Sequence, residues 1–246
     1  MSTTEVTIGQ WKAVMGETLR EHVIKLLNNE TVYTFGTQQK KLREFMNFNK
    51  DDPDRIFGND NDSVAMYLVS WTDAINFCTR LTQLEKDKGI LPAGYKYTLP
   101  TEAQWEYACR AGTQTATFAG PIEANARTSS LLDNIAWYAG NNTVGYTGKK
   151  LGNTGAGPRK AGEKEANAWG LKDMPGNIWE WCRDWYGPYN EKELNDPVGP
   201  DNGTGRVNRG GSWGSGPFSE RSASRASNPP AEKSAWRGFR VVLSIL

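Results

Sequence analysis

Apolar residues near the start of the chain recur at helical spacing, and short polar sequences mark where the helices begin. Thr7 and Gln10 have the Thr-x-x-Gln form of a capping box, in which each side chain bonds the backbone amide of the other residue. A helix should therefore follow, with Trp11, Val14 and Met15 on one face.

Three more helices are predicted by the same criteria. Residues 17–28 place leucine and valine at helical spacing opposite charged residues. Ser70 begins a further helix, which Gly89 ends. A second Thr-x-x-Gln box at residues 101–104 opens a short helix that ends at Gly112. Helices therefore dominate the first half of the chain.

Alternating apolar and polar residues predict strands, most of them in the second half. They are expected at residues 95–99, at 179–182, around Val207 and at 238–243. In the second of these, the two tryptophans share one face, and Glu180 and Cys182 share the other.

Two long stretches show no period. Residues 47–63 are polar and rich in Asp and Asn, which indicates a loop. Residues 112–170 are rich in glycine, asparagine and threonine, and their aromatic residues indicate ordered loops packed on a core. The pattern as a whole predicts one α+β domain over residues 1–246.

Composition and charge exclude several classes of protein. The 246 residues include 29 Lys and Arg and 28 Asp and Glu, a formal net charge of +1, so bulk attraction to nucleic acid is not expected. No stretch approaches the ~18 apolar residues of a membrane span, which argues against membrane insertion by this chain. The first ten residues lack a basic region followed by an apolar one, so no signal peptide is expected. The 10 tryptophans and 26 glycines favour large anchors joined by irregular loops.

Candidate chemistry is sparse. Cys78, Cys109 and Cys182 are an odd number of widely spaced cysteines, so we expect buried packing residues rather than disulfides. His22 is the only histidine, and one histidine cannot build a histidine-rich iron, zinc or copper centre. The carboxylates are scattered, so no acid/base pair can be selected and no catalytic residue is assigned.

Seven sequence blocks, in order, resemble the formylglycine-generating enzyme (sulfatase-modifying factor) family. They are residues 6–11 (VTIGQW), 69–74 (VSWTDA), 99–113 (LPTEAQWEYACRAGT), 167–171 (NAWGL), 176–182 (GNIWEWC), 209–213 (RGGSW) and 238–241 (GFRV). The resemblance covers nearly the whole chain and implies a single domain with a C-type-lectin-like fold. Residues 17–63 stand where the family has a shorter loop, and we expect a helical and polar insert there.

The resemblance also implies where the reactive centre should be. Enzymes of the family oxidise a substrate cysteine with a copper-binding pair of cysteines near the C terminus, within the part that matches residues 212–225. This chain has no cysteine after Cys182, and serine cannot replace the soft thiolate that Cu(I) needs. We therefore expect a protein that is not an enzyme. A divergent enzyme of the family and a structural pseudoenzyme are the alternatives.

One metal site is implied by the resemblance, although no cofactor is required. Asp173 and Glu180 bracket a Pro-Gly turn, and calcium prefers oxygen ligands of this mixed kind. A turn with flanking acids and no ion is the alternative. In the family's enzymes calcium is held around the matching block, which implies the side chains of Asp173 and Glu180 and the carbonyls of Gly176 and Ile178 as ligands.

The C-terminal part is also similar to the variable proteins that retroelements diversify, in particular those of Treponema. In these proteins a fixed set of residues holds the backbone while the residues between them bind different ligands. We assign Arg209, Gly210, Gly211, Trp213, Arg221 and Arg225 to this set, which we call the frame. The variable segment should span about residues 206–243. Its binding residues are expected at Gly214, Ser215, Gly216, Phe218, Ser219, Glu220, Ser224, Ala226, Ser227, Asn228, Ser234, Ala235, Trp236 and Arg237.

These residues mix small side chains with the types that anchor interfaces, Phe218, Trp236 and Arg237. The similarity implies a receptor-like or adhesin-like protein whose partner is a protein or another macromolecule. It also implies a cell-surface or extracellular location, as a lipoprotein whose leader is absent from this chain. A loop that only covers the glycine-rich strands is the alternative.

Overall fold

Helices precede most of the strands along the chain. The computed structural model describes residues 1–30, 32–35, 38–45, 59–123, 127–147, 156–189 and 195–245. The helices are α1 Ile8–Met15, α2 Leu19–Leu27, α3 Leu42–Phe45, α4 Trp71–Asp87, α5 Glu102–Arg110 and α6 Ser130–Ile135, with a short 3-10 helix at Pro217–Glu220. The strands are β1 Val32–Phe35, β2 Gln38–Lys41, β3 Tyr95–Thr98, β4 Trp179–Trp185, β5 Arg206–Arg209, β6 Arg225–Asn228, β7 Arg237–Gly238 and β8 Val242–Ile245.

Capping boxes begin the helices that the sequence predicts. Thr7 caps α1 and Thr101 caps α5, each with the glutamine three residues later. Ser70 caps α4 with Asp73, and Gly89 follows the end of that helix in the left-handed conformation. These helix predictions are confirmed because a cap is a local interaction that the sequence shows directly.

The insert at residues 17–63 and the stretch at residues 112–170 each contain regular structure that the sequence pattern does not predict. Within the insert at residues 17–63, α2 is joined by the hairpin β1–β2 and by α3. The loop prediction for residues 47–63 lies mostly outside the described residues. Residues 112–170 include the helix α6, which Ser129 caps. This helix has only six residues, which are too few to show a helical period in the sequence.

Three small sheets hold the strands together. The largest has the order β6-β5-β4-β7, with β4 antiparallel to β5 and parallel to β7. Strand β3 pairs with β8, which brings residues near position 95 to the C terminus. Strand β4 is an inner strand with both edges paired, and side chains on both of its faces are buried. Trp181 is fully buried on one face, and Glu180 and its neighbour Cys182 are fully buried as well.

The prediction of one strand over residues 238–243 is wrong. The chain forms β7 and β8, which belong to different sheets. Between them the backbone is held by the N-terminal segment, because the amide of Val6 bonds the carbonyl of Phe239 and the amide of Ser2 bonds that of Val241. The side chains of Phe239 and Arg240 are fully buried there.

Aromatic rings form the centre of the core. Trp11 from α1 stacks on Phe77 from α4 at 5.8 Å, and Phe77 meets Phe239 edge-on at 5.2 Å. A second buried cluster joins α5 to the large sheet through Trp105, Cys109, Leu171, Met174, Cys182 and Val207. This packing fixes the strands from which the C-terminal segment extends.

Candidate functional site

The frame residues hold the C-terminal segment onto the core. The buried guanidinium of Arg209 donates to the carbonyls of Ser222 and Ser224 and pairs with Glu106 on α5. The fully buried Trp213 donates from its indole to the carbonyl of Ala235 at 3.1 Å. The backbone at residues 222–224 and the backbone at Ala235 are therefore both hydrogen-bonded to buried frame residues.

Glycine is needed where the frame turns. Gly210 and Gly211 have φ values of 101° and 78°, a region that disfavours other residues. A Cβ atom on Gly211 would collide with both carboxyl oxygens of Glu220. The two glycines turn the chain back on itself, so that the carboxyl group of Glu220 lies against the turn at Gly211.

The predicted binding residues fall into three classes of exposure. Gly214, Gly216, Phe218, Ser227 and Trp236 are exposed; Ser215, Ser219, Ala226, Asn228, Ser234 and Ala235 are half-buried; Glu220, Ser224 and Arg237 are buried. The exposed and half-buried residues can meet a partner directly, whereas the buried ones lie beneath that surface. We call residues 214–237 the contact segment.

Two exposed aromatic side chains stand out in the contact segment. Phe218 is 64% exposed, and the guanidinium of Arg221 lies 3.5 Å from the centre of its ring. Trp236 is 44% exposed and packs at 5.9 Å against the buried Trp213. A Cβ atom on Gly214 would lie 2.7 Å from the indole nitrogen of Trp236. Both rings are thus positioned by frame residues and open to solvent.

The three buried residues support this surface from below. Ser224 donates to the carbonyl of Phe218 at 2.9 Å, and Arg237 pairs with Glu232 at 3.2 Å. Glu220 differs, because neither of its carboxyl oxygens makes a hydrogen bond of normal geometry with the described residues, and the backbone amides of Ser212 and Gly176 are the donors that act on it. Burial raises the pKa of Glu220 well above its ordinary value, and the nearby amides of Ser212 and Gly176 oppose this only in part. No pattern in the sequence predicts that this acid is buried.

The predicted calcium ligands surround a buried turn, but the acid at its end is already paired. Glu180 accepts hydrogen bonds from Arg240 at 2.6 and 2.7 Å and from the indole of Trp105 at 2.7 Å. Asp173 is also buried, and its carboxylate accepts the amide of Gly162.

The four predicted ligands therefore do not fit a calcium ion as a set, because an ion at Glu180 would have to displace Arg240. Gly176 has a φ of 83°, and a Cβ atom there would lie 2.5 Å from the carbonyl oxygen of Trp137. Close backbone packing thus explains this glycine without an ion. In the described part of the chain, no group of three His, Cys, Asp or Glu residues is arranged to hold a metal.

The cysteines are buried packing residues, as expected, and the histidine is buried as well. All three cysteines are buried and free. Burial raises the pKa of Cys78 to about 12 and that of Cys109 to about 11, so the reactive thiolate is disfavoured. His22 lies 2.9 Å from a carboxylate oxygen of Glu17 and 3.1 Å from the carbonyl of Leu68.

Comparison with known sequences places the chain in a family. A family model described as the sulfatase-modifying factor enzyme 1-like domain matches residues 1–245. The formylglycine-generating enzyme of Mus musculus is 35% identical over 176 residues, which cover 70% of this chain and 42% of that protein. The enzyme of the same name from Thermomonospora curvata is 36% identical over 180 residues, covering 70% and 53%. This chain therefore spans about half of the length of these curated relatives.

Solved structures share the architecture over the full length. Treponema denticola variable protein 1 superposes with a TM-score of 0.64 at 24% identity, covering 98% of this chain and 82% of that one. PvdO from Pseudomonas aeruginosa gives 0.64 at 22% identity, covering 100% and 79%.

At sequence identities below 25%, these structural matches show only the fold. They confirm the expected α+β, C-type-lectin-like architecture. None of the helices that the structure describes is both long and apolar enough to cross a bilayer. The match over residues 1–245 carries the assignment: the chain belongs to the sulfatase-modifying factor enzyme 1-like domain family.

Proposed function

We propose that this chain is a non-catalytic binding protein whose contact segment meets a protein or another macromolecule. The observation that carries the proposal is the exposure of Phe218 and Trp236 above a buried frame. Aromatic side chains that a rigid scaffold holds in solvent lose little conformational entropy on binding, and they often supply most of the energy of an interface.

The thiol chemistry of the chain supports a role without catalysis. No cysteine follows Cys182, and the three that exist are buried in the core. A Cu(I) centre needs soft thiolate ligands, and neither Ser215 nor Ser219 can supply one. The formylglycine-generating enzymes are relatives by family, so their activity is the property that this proposal denies to the present chain.

The fold supports a role in display. Treponema denticola variable protein 1 has the same architecture, and its name describes a variable protein. A scaffold that holds its own backbone through Arg209 and Trp213 can carry different side chains at the exposed positions. On the resemblance to such proteins we propose a cell-surface or extracellular location, as a lipoprotein.

A display library tests the binding proposal. We would randomise Gly216, Phe218, Ser219, Ser227 and Trp236 together and select for binding to a purified test protein such as lysozyme. Clones that bind it while melting within a few degrees of the parent are expected, because none of these five side chains is buried. A matched library at Lys12, Arg20, Gln83 and Lys86, which lie on the outer faces of helices, should yield fewer binders. Libraries that lose folding would contradict the proposal.

A direct assay tests the absence of catalysis. The purified chain would be incubated with copper and a cysteine-containing peptide, and formylglycine would be measured by mass spectrometry. No aldehyde is expected. Copper-dependent formation of formylglycine would overturn the proposed function, whatever the library shows.

A further inference from the structure

A second concave site lies away from the exposed aromatic residues of the contact segment. It is a groove of about 810 Å³ between helix α5 and the chain that follows β4. This volume lies within the ~300–1,000 Å³ typical of ligand sites. The walls include Glu102 and Glu106 from α5, Asp184 and Trp185 from β4, and three prolines from the following loop. Of the contact segment, only Arg225 lines it.

Aromatic rings stand at the edges of this groove and are fixed from behind. Tyr189 is 62% exposed, and the guanidinium of Arg225 lies 4.0 Å from its ring centre. Trp185 is covered on one side by the guanidinium of Arg206 at 3.5 Å. Tyr107 is 70% exposed and is in edge-on contact with Trp169. The groove therefore offers preorganised apolar platforms.

Two acids of the groove, Glu102 and Glu106, are already paired with arginines. Glu102 accepts two hydrogen bonds from Arg225, at 2.6 and 2.7 Å. Glu106 pairs with Arg110 at 2.8 Å and with the buried Arg209. Guanidinium groups compensate these two carboxylates, but Asp184 and Asp196 also line the groove, so its floor offers hydrogen-bond donors and acceptors with an excess of acidic side chains.

A further acid completes this polar floor. Asp184 accepts the amide of Glu102 at 2.9 Å, and burial raises the pKa of Asp184. The hydroxyl of Tyr189 reaches Glu102 at 3.3 Å, which joins the aromatic edge to the ionic floor. Side chains held in this way need little reorganisation when a ligand arrives.

We propose that this groove binds a neutral saccharide. A sugar ring has apolar C–H faces and a rim of hydroxyl groups, so it matches an aromatic platform beside paired donors and acceptors. An anionic ligand would meet the excess of acidic side chains that line the groove. The strand that contributes Asp184 and Trp185, β4, is an inner strand, so it offers no free row of backbone groups to which an extended peptide could add.

The proposal needs neither calcium nor the exposed rings of Phe218 and Trp236. It therefore stands or falls independently of the proposed function, and the two are tested by different side chains. Tyr189 serves the groove, and Phe218 serves the contact segment; both are largely exposed, so their replacement by alanine should leave the fold intact.

A glycan array carrying neutral, sialylated and sulfated glycans tests the inference, with the purified full chain as the probe. We expect binding to at least one neutral glycan, unchanged by EDTA. Tyr189→Ala should weaken this binding by about tenfold or more, as loss of one stacking platform would. Phe218→Ala, checked by its melting curve, should bind as the parent does.

Three results would overturn the inference. They are no binding to any neutral glycan, binding confined to acidic glycans, and a neutral-glycan signal that Phe218→Ala abolishes but Tyr189→Ala preserves. Displacement of a bound glycan by an excess of unrelated extended peptides would show that the groove is a peptide site instead, which also contradicts the proposal.

Discussion

Two fully buried glutamates show how differently the core and the contact segment are built. Glu180, at the centre of β4, is held by Arg240 and by the indole of Trp105. Glu220, at the end of the 3-10 helix in the contact segment, has no cationic partner among the residues described, and only the backbone amides of Ser212 and Gly176 oppose the effect of its burial. Both side chains are 1% exposed or less. A buried cation thus compensates the charge of Glu180, whereas Glu220 has no such partner.

The difference indicates where the fold can tolerate change. Arg240 also donates to the carbonyls of Ser2, Thr3 and Lys172, so it ties the N terminus, a loop and β4 together. Burial lowers the pKa of Arg240, but the nearby carboxylates, Glu180 first, raise it by more, which keeps the guanidinium charged. Glu220 does not connect separate parts of the chain in this way. We therefore expect the stability of the fold to be concentrated in the core.

The largest effect is expected from breaking the core pair. Arg240→Met should lower the free energy of unfolding by about 3–5 kcal/mol, because it leaves Glu180 buried and unpaired. Glu180→Gln should also be strongly destabilising. The double variant should lose less than the sum of the two, since the uncompensated charge is gone. Urea unfolding measures all three.

A surface pair provides the control for this cycle. Lys25 pairs with Glu17 at 2.5 Å, but its side chain is 69% exposed. Lys25→Met should leave the free energy of unfolding nearly unchanged. If the loss at Arg240 were as small as the loss at Lys25, the core pair would not be the stabilising element described above.

A smaller effect of opposite sign is expected at Glu220. Its pKa is raised by burial in the folded state, so ionisation costs stability as the pH rises from about 4, the ordinary value for glutamate. Glu220→Gln removes this cost. The variant should gain on the parent as the pH rises, by about 1–3 kcal/mol if the buried carboxylate carries the usual penalty.

Urea unfolding at pH 5 and pH 8 measures this difference. Glu5 and Asp173 also have pKa values that burial raises, but both proteins contain them, so the comparison isolates Glu220. A gap between variant and parent that stays constant with pH would contradict the assignment of a neutral, buried acid at this position.

The sequence predicted the helices because their signals are local. Thr101 and Gln104 lie three residues apart and close a capping box that any reader of the chain can see. Residues 238–243 are likewise predicted as one strand because only their local pattern is visible in the sequence. The break at Phe239 arises from bonds to Val6, more than two hundred residues away, which no local pattern contains.

The sequence predicts where the candidate site lies along the chain, but not which of its side chains are buried. Motif resemblance gave the contact segment, and Phe218 and Trp236 are exposed as an interface requires. The burial of Glu220 depends on the left-handed turn at Gly210 and Gly211, which folds the segment over its own carboxyl group. Likewise, Arg240 meets Glu180 across 60 residues of sequence. Such pairings need the three-dimensional fold.

The smallest effect is expected from removing calcium. The family resemblance places calcium ligands at Asp173 and Glu180, but Arg240 already supplies positive charge to the carboxylate of Glu180 at 2.6 Å. Melting curves with excess EDTA and with added calcium should therefore coincide for the parent chain. Arg240→Met sharpens the test, because it removes the guanidinium from Glu180 and leaves the indole of Trp105 as the remaining donor to that carboxylate. If calcium stabilises the variant and not the parent, the guanidinium has taken the place of the ion. A clear rise in the melting temperature of the parent on adding calcium would show instead that Arg240 yields to the metal, and the contrast between the two buried glutamates would then rest on an ion rather than on an ion pair.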